Sequence, residues 1–122
     1  MSLDDPEFTL QETVGQPKHH IRAPFDDYAR AMIEQQPDCI IAWWLGACYL
    51  YYQKAESLLS DPYFDDLAEQ MRARWETIRH PHKYLIHPDD LAAGTGFMIS
   101  EEQYPSITKS AAERLMRSGV MV

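Results

Sequence analysis

The chain has 122 residues, 45% of them hydrophobic, which suits one domain with a single core and argues against disorder. Its formal net charge of −8 excludes a general basic surface for nucleic acid, so no direct nucleic-acid partner is expected. We find neither a signal-peptide pattern nor an apolar run of the roughly 20 residues that a membrane-spanning helix needs. We therefore expect a cytoplasmic protein without a membrane partner.

Residues 1–24 show no sustained apolar period and include three prolines and one glycine. This composition predicts an extended N-terminal arm, with a short strand around residues 8–14. Residues 25–122 are predicted to form a helical domain, which begins with a helix over residues 25–36. An apolar stripe at helical spacing supports that helix, and Pro37 ends it.

The centre of the chain, residues 38–79, predicts an antiparallel helical hairpin. Its first helix, over residues 38–59, contains an unbroken apolar run of 14 residues, which is typical of a helix buried on most sides. Pro62 suits the first turn of a second helix over residues 62–79, with Asp61 as its N-cap. The predicted fold class is therefore mainly α, a small single domain built on a central antiparallel helical hairpin. The apolar face of the second helix comprises Phe64, Leu67, Met71, Trp75 and Ile78.

The elements predicted after the hairpin are shorter. Two prolines bracket an extended piece at residues 83–87, and one helical turn at residues 89–93 ends at a glycine. A short strand is predicted at residues 96–99. A last amphipathic helix is predicted over residues 106–117, directly after a proline.

Three histidines, His80, His82 and His87, lie close together in the sequence and are the only metal-site candidates. No carboxylate or cysteine stands at a convincing ligand spacing beside them, so no metal cofactor is expected. Three Asp-Asp pairs fall near predicted helix starts, where capping explains them more simply than paired-carboxylate catalysis does. No motif of an activated nucleophile is present.

One constellation stands out at the junction of the hairpin: Tyr51-Tyr52, then eight residues, then Asp61-x-x-Phe64-Asp65-x-Leu67. Over about residues 49–79 the chain resembles the N-terminal Ia domain of bacterial NAD-dependent DNA ligases, which is a small helical module. That domain carries a Tyr followed by His or Tyr and, at the same distance, an Asp-x-x-Tyr-Asp-x-Leu signature.

The resemblance implies a ligase Ia-like hairpin in which five residues bind NAD or nicotinamide mononucleotide (NMN). By position, Tyr51 and Phe64 supply aromatic faces, and Tyr52 takes the His or Tyr position. Asp61 and Asp65 supply polar contacts. The nicotinamide ring of NAD is a flat cation, which aromatic rings attract and carboxylates balance, and carboxylates also accept hydrogen bonds from ribose hydroxyls.

Two departures limit what the resemblance implies. Phe64 replaces the usual Tyr of the signature and so lacks one hydroxyl. None of the four lysines is followed by x-Asp-Gly, the ligase nucleophile motif, so we expect a non-catalytic module rather than an enzyme. The alternative is an acidic helical interaction or structural protein, a scaffold or nucleic-acid mimic that has a protein partner and binds no nucleotide. A small protein of phage or prophage type fits either class.

Overall fold

The computed structural model describes residues 20–21, 23–93, 99–118 and 120–121. The structure is mainly helical there, which confirms the mainly α part of the predicted fold class. The α-helices are α1 (Asp26–Gln35), α2 (Ile40–Lys54), α3 (Asp61–Ala73), α4 (Pro88–Ala93) and α5 (Ser106–Ser118). Short 3-10 turns occupy Pro37–Cys39, Trp75–Thr77, Lys83–Leu85 and Glu101–Gln103, and the strands are β1 (His20–Ile21) and β2 (Val120–Met121).

The two strands join the ends of the described chain. β1 pairs antiparallel with β2, so that His20 lies opposite Met121 and Ile21 opposite Val120. Most of the arm predicted over residues 1–24 lies outside the described residues, as does the strand predicted at residues 8–14. The same holds for most of the strand predicted at residues 96–99, of which Ile99 alone is described and lies in a bend.

The core is built around α2. Nine of its residues between Ile40 and Leu50 are buried, on all sides of the helix. A helix that is apolar all round is stable only when other elements surround it. Both α3 and α5 pack against α2, and Tyr28 of α1 meets Trp43 edge to face at 5.8 Å between ring centres. In the part of the chain that is described, no helix is long and apolar enough to span a membrane.

Helices α2 and α3 run antiparallel, as contacts at three levels show. Tyr51 near the end of α2 and Asp61 at the start of α3 line the same cleft. Farther along, the rings of Trp44 and Phe64 stack at 5.4 Å. At the other end, the Arg74 guanidinium donates to the carbonyl of Pro37 at 3.1 Å. The hairpin predicted over residues 38–79 is thus present, with different helix ends.

The first helix of the hairpin ends at Lys54, earlier than the predicted residue 59. Ala55 turns the chain with a left-handed φ of 56°, and the Glu56 amide donates to the Leu50 carbonyl at 2.9 Å. Leu58 lies in the loop that follows, and its side chain is buried in the core. Apolar residues in this loop extend the hydrophobic pattern beyond the helix, which is why the sequence overestimates its length.

The second helix begins one residue before the predicted start, and its N-cap is Ser60 rather than Asp61. Ser60 has the extended conformation of an N-cap, with φ −67° and ψ 154°, and its hydroxyl accepts from the Tyr63 amide at 3.3 Å. The prediction of Asp61 as the N-cap was therefore wrong. The Asp61 carboxylate instead lies in the first turn, where negative charge favours the helix dipole.

The same helix ends at Ala73, well before the predicted residue 79, and the 3-10 turn Trp75–Thr77 follows. Lys83 stabilises this break, since its ammonium donates to the carbonyls of Trp75 at 2.6 Å and Ile78 at 3.1 Å. The same ammonium lies 4.6 Å from the centre of the Trp75 ring. Trp75 is consequently half-buried at the break and does not continue the buried face of the helix.

The remaining helices agree with their predictions. The helices predicted over residues 25–36 and 106–117 and the turn predicted at 89–93 correspond to α1, α5 and α4, each within one residue at either end. The extended piece predicted at residues 83–87 was wrong in its first half. The chain there forms the 3-10 turn Lys83–Leu85, closed by the Leu85 amide donating to the His82 carbonyl at 3.1 Å.

Candidate functional site

A cleft of about 220 Å³ lies where the end of α2 meets the start of α3. The antiparallel course of the hairpin explains its composition, because the last turn of α2 and the first turn of α3 lie side by side. All five residues predicted for nucleotide binding line this cleft: Tyr51, Tyr52, Asp61, Phe64 and Asp65.

The two tyrosines form an open aromatic wall. Tyr51, in the last turn of α2, is 52% exposed. Tyr52 is partly buried, and its ring meets that of Tyr51 edge to face, with centres 4.8 Å apart and planes 88° apart. Because the two rings are perpendicular, a ligand in the cleft can contact the face of one ring and the edge of the other.

Phe64 has a different role from the free aromatic face that the resemblance implied. Its ring stacks on the buried ring of Trp44, with the planes only 12° apart. One face of Phe64 is therefore covered by the core, and only its other face or its edge can contact a ligand. This stack fixes the wall of the cleft by tying α3 to the middle of α2.

The polar side of the cleft is acidic. Asp61 and Asp65 are both exposed and, at a spacing of four residues, lie on the same side of α3. Of the described residues that line the cleft, none is a lysine or an arginine. The nearest cation in the sequence, Lys54, is directed elsewhere, since its ammonium lies 3.9 Å from the Glu101 carboxylate and 5.9 Å from the ring centre of Tyr49. The described lining of the cleft is therefore net negative.

The loop that closes the cleft is anchored to α1. The Ser60 amide donates to Oδ1 of Asp26 at 2.9 Å, and the Ser60 hydroxyl donates to Oδ2. In addition, the Phe25 amide donates to the Leu58 carbonyl at 2.8 Å. Asp26 thus positions the loop without lining the cleft, although the sequence suggested only a helix-capping role for it.

Four further residues complete the lining, and the sequence reasoning missed all of them. Ala47 lies one helical turn before Tyr51, so its place on the same side of α2 was available from the helical spacing. The others belong to the loop, whose path depends on the left-handed turn and on the anchor to α1. The four residues are Ala47, Ser57, Leu58 and Leu59.

The histidines occupy a different place. His80 and His82 lie side by side with ring centres 5.3 Å apart, and both line a groove between α2 and α5. His87 does not line this groove and is exposed. In the described part of the chain, no group of three or more histidine, cysteine, aspartate or glutamate side chains could hold a metal ion.

Comparison of this chain with protein-family models, with curated proteins and with solved structures finds no match. The resemblance to the ligase Ia domain therefore rests on the constellation of residues 51–67 and on nothing else. The geometry of the cleft stands independently of that resemblance.

Proposed function

We propose that this chain is a non-catalytic binding module for a nicotinamide nucleotide, NMN or the NMN half of NAD, at the cleft between α2 and α3. The observation that carries the proposal is the pairing of an exposed tyrosine with two carboxylates in a cleft whose described lining contains no cation. The match of these residues to the ligase signature adds support.

The chemistry of the ligand fits this lining. The oxidised nicotinamide ring is a flat cation, and an aromatic face attracts such a cation by about 0.5–1 kcal/mol at an exposed site. The exposed ring of Tyr51 offers this contact, with the edge of Tyr52 beside it. Asp61 and Asp65 balance the positive charge and accept hydrogen bonds from ribose hydroxyls and the carboxamide.

The proposed binding is weak and centred on the nicotinamide riboside part. A cleft of about 220 Å³ is smaller than the roughly 300–1,000 Å³ of sites that enclose a drug-sized ligand, so part of the nucleotide stays in water. The acidic lining also opposes the phosphate. Such a half-site supports affinities between micromolar and millimolar, which correspond to about −8 to −4 kcal/mol.

Titration of the isotope-labelled chain with NMN, monitored by NMR, tests the proposal. We expect saturable shifts of the amides that line the cleft, stronger binding of nicotinamide riboside than of NMN, and weaker binding of AMP, which lacks the cationic ring. Absence of shifts at 10 mM nicotinamide riboside, a concentration chosen above the expected range (about 1 mM or tighter), would overturn it and favour the acidic scaffold instead.

A pair of variants locates the site on α3. Asp65→Ala removes a carboxylate from the cleft and should abolish detectable binding while leaving the fold unchanged, because Asp65 is exposed and is not a cap. Asp66→Ala is the matched control, since it makes the same charge change one residue away and does not line the cleft. Equal loss of binding in both variants would mean that only the general charge matters.

A further inference from the structure

A second concavity, of about 430 Å³, lies between α2 and α5, and no sequence motif pointed to it. Trp43 contributes from α2, and Ile107 and Leu115 contribute from α5. His80 and His82 line it from the segment after α3. Its size falls within the roughly 300–1,000 Å³ of typical small-molecule sites.

Small residues keep this groove open. Gly46 of α2 and Ala111 and Ala112 of α5 line it and fill little of the space between the two helices. A methyl group added at Gly46 would lie 3.5 Å from Leu58 and 3.7 Å from Ala112, which are ordinary contact distances. An alanine at position 46 would therefore fit without moving α5 away from α2. At the rim, Ile107 leaves 71% of its surface in water, an unusual exposure for so large an apolar side chain.

The polar groups of the described lining of the groove are two histidines, one threonine and the indole N–H of Trp43. Among the described residues that line it, none is an aspartate, glutamate, lysine or arginine. The His82 amide donates to Nδ1 of His80 at 3.1 Å, so the proton of a neutral His80 lies on Nε2. Burial lowers the pKa of His80, the neighbouring His82 lowers it further, and the charge of Asp38 opposes the shift, so the net effect favours the neutral ring. His80 therefore offers one N–H donor beside an apolar surface.

We propose that this groove binds a small, uncharged aromatic molecule that carries one hydrogen-bond acceptor. The indole of Trp43 and the aliphatic chains of Ile107 and Leu115 offer flat apolar contact, and His80 Nε2–H meets the acceptor. A charged ligand is disfavoured because no described lining residue balances its charge. This inference does not rest on the nucleotide cleft: the two sites share Leu58 in their linings, but Trp43, Ile107, Leu115 and His80 do not line the cleft, and the ligand chemistry differs.

Quinoline and naphthalene make a matched pair of probes, because they share shape and differ by one ring nitrogen that accepts a hydrogen bond. The full chain, isotope-labelled, is titrated with each at pH 7.5, and the indole N–H of Trp43 and the methyl groups of Ile107 and Leu115 are observed by NMR. We expect saturable shifts of these groups with quinoline. Naphthalene should bind about two- to tenfold more weakly, the range that one net hydrogen bond gives.

Three variants test the location. Ala111→Trp fills the groove from an exposed position and should abolish quinoline binding, whereas Ala73→Trp, also at an exposed position but outside the groove, should leave it unchanged. His80→Phe should reduce quinoline affinity to that of naphthalene. The proposal is wrong if quinoline causes no shifts in the wild-type chain, if it still binds Ala111→Trp, or if naphthalene binds equally well.

Discussion

Ser60 performs three tasks with one hydroxyl and one amide. Its hydroxyl caps α3 by accepting from the Tyr63 amide, and the same hydroxyl donates to Asp26. Its amide donates to Asp26 as well. The neighbouring Asp61 makes no cap and exposes its carboxylate to the cleft. Ser60 thus stabilises the start of α3, and the adjacent Asp61 remains available to contact a ligand.

This division predicts unequal effects of two alanine substitutions on stability. Ser60→Ala should lower the free energy of unfolding by about 1–2 kcal/mol, through loss of the cap. Asp61→Ala should change it by about 0.5 kcal/mol or less, because only a favourable charge near the helix dipole is lost. Urea unfolding of both variants measures the difference. A larger loss in Asp61→Ala than in Ser60→Ala would contradict the assignment of the cap.

At the scale of elements, the start of α1 fixes the connection between α2 and α3. Asp26 accepts two hydrogen bonds from Ser60, and the amide of Phe25 donates to the loop. The loop that forms one wall of the cleft is therefore held by an element that precedes the hairpin in the sequence. The hairpin alone would leave this wall unsupported.

Substitution of Asp26 tests the anchor. Asp26→Ala should lower the free energy of unfolding by about 1.5–3 kcal/mol, the usual contribution of hydrogen bonds to a charged group, and should weaken NMN binding through the displaced loop. Asp27→Ala is the matched control. Asp27 is exposed and its described contact is a surface ion pair with Arg30 at 2.8 Å, so the expected loss is below about 1 kcal/mol. Equal losses in urea unfolding would show that the anchor is not important.

The stability of the contact between α2 and α5 is expected to depend on pH through Tyr49. The hydroxyl of buried Tyr49 donates to the Glu113 carboxylate, and its ring packs edge to face on Tyr104 at 5.3 Å. Burial, together with this hydrogen bond and the charge of Glu113, raises the pKa of Tyr49 from 10.0 to about 12. The folded state therefore favours the neutral phenol.

The stabilisation from neutral Tyr49 is complete below pH 10 and is lost as the pH rises towards about 12. Tyr49→Phe keeps the ring, so its melting temperature should fall less steeply over that interval than that of the wild-type chain. Tyr84→Phe, at a position that is 75% exposed, should behave like the wild type. Identical slopes for all three proteins in thermal melts would contradict the coupling.

At the scale of the whole molecule, charge decides which ligands approach. The net charge is −8, and the ion pairs that the structure describes are exposed, so they contribute little to stability. The acidic surface attracts a cation toward the cleft over several ångströms, within the screening length of the salt. The apolar groove does not depend on this field.

The ligand affinities of the two sites should therefore differ in their dependence on salt. Between 20 and 300 mM NaCl, as chosen test conditions, we expect the Kd of nicotinamide riboside to rise about two- to fourfold through screening of the acidic cleft. The Kd of quinoline, which is neutral, should stay constant over the same range. NMR titrations at both salt concentrations measure both values. A nicotinamide riboside affinity that is independent of salt would mean that its positive charge is not what the cleft recognises.

The sequence by itself determined the features that depend on local patterns. The uniformly apolar run predicted a buried central helix, and α2 is one. Helical spacing and two breaks predicted a hairpin, and the resemblance to the ligase signature implied five candidate residues at its junction, all of which line one cleft. The buried helix and the hairpin follow from helical periodicity and from local break signals, so their prediction needed no knowledge of distant contacts.

Only the tertiary structure decided the rest. Lys83 stabilises the early end of α3 from the following segment, and Trp44 covers one face of Phe64 from the opposite helix. Asp26 anchors the cleft from a separate helix, and the groove at His80 exists only because α5 packs beside α2. Each of these contacts joins residues that are far apart in the sequence or that belong to different elements. Local periodicity carries no information about such contacts, because packing between elements alone brings their side chains together.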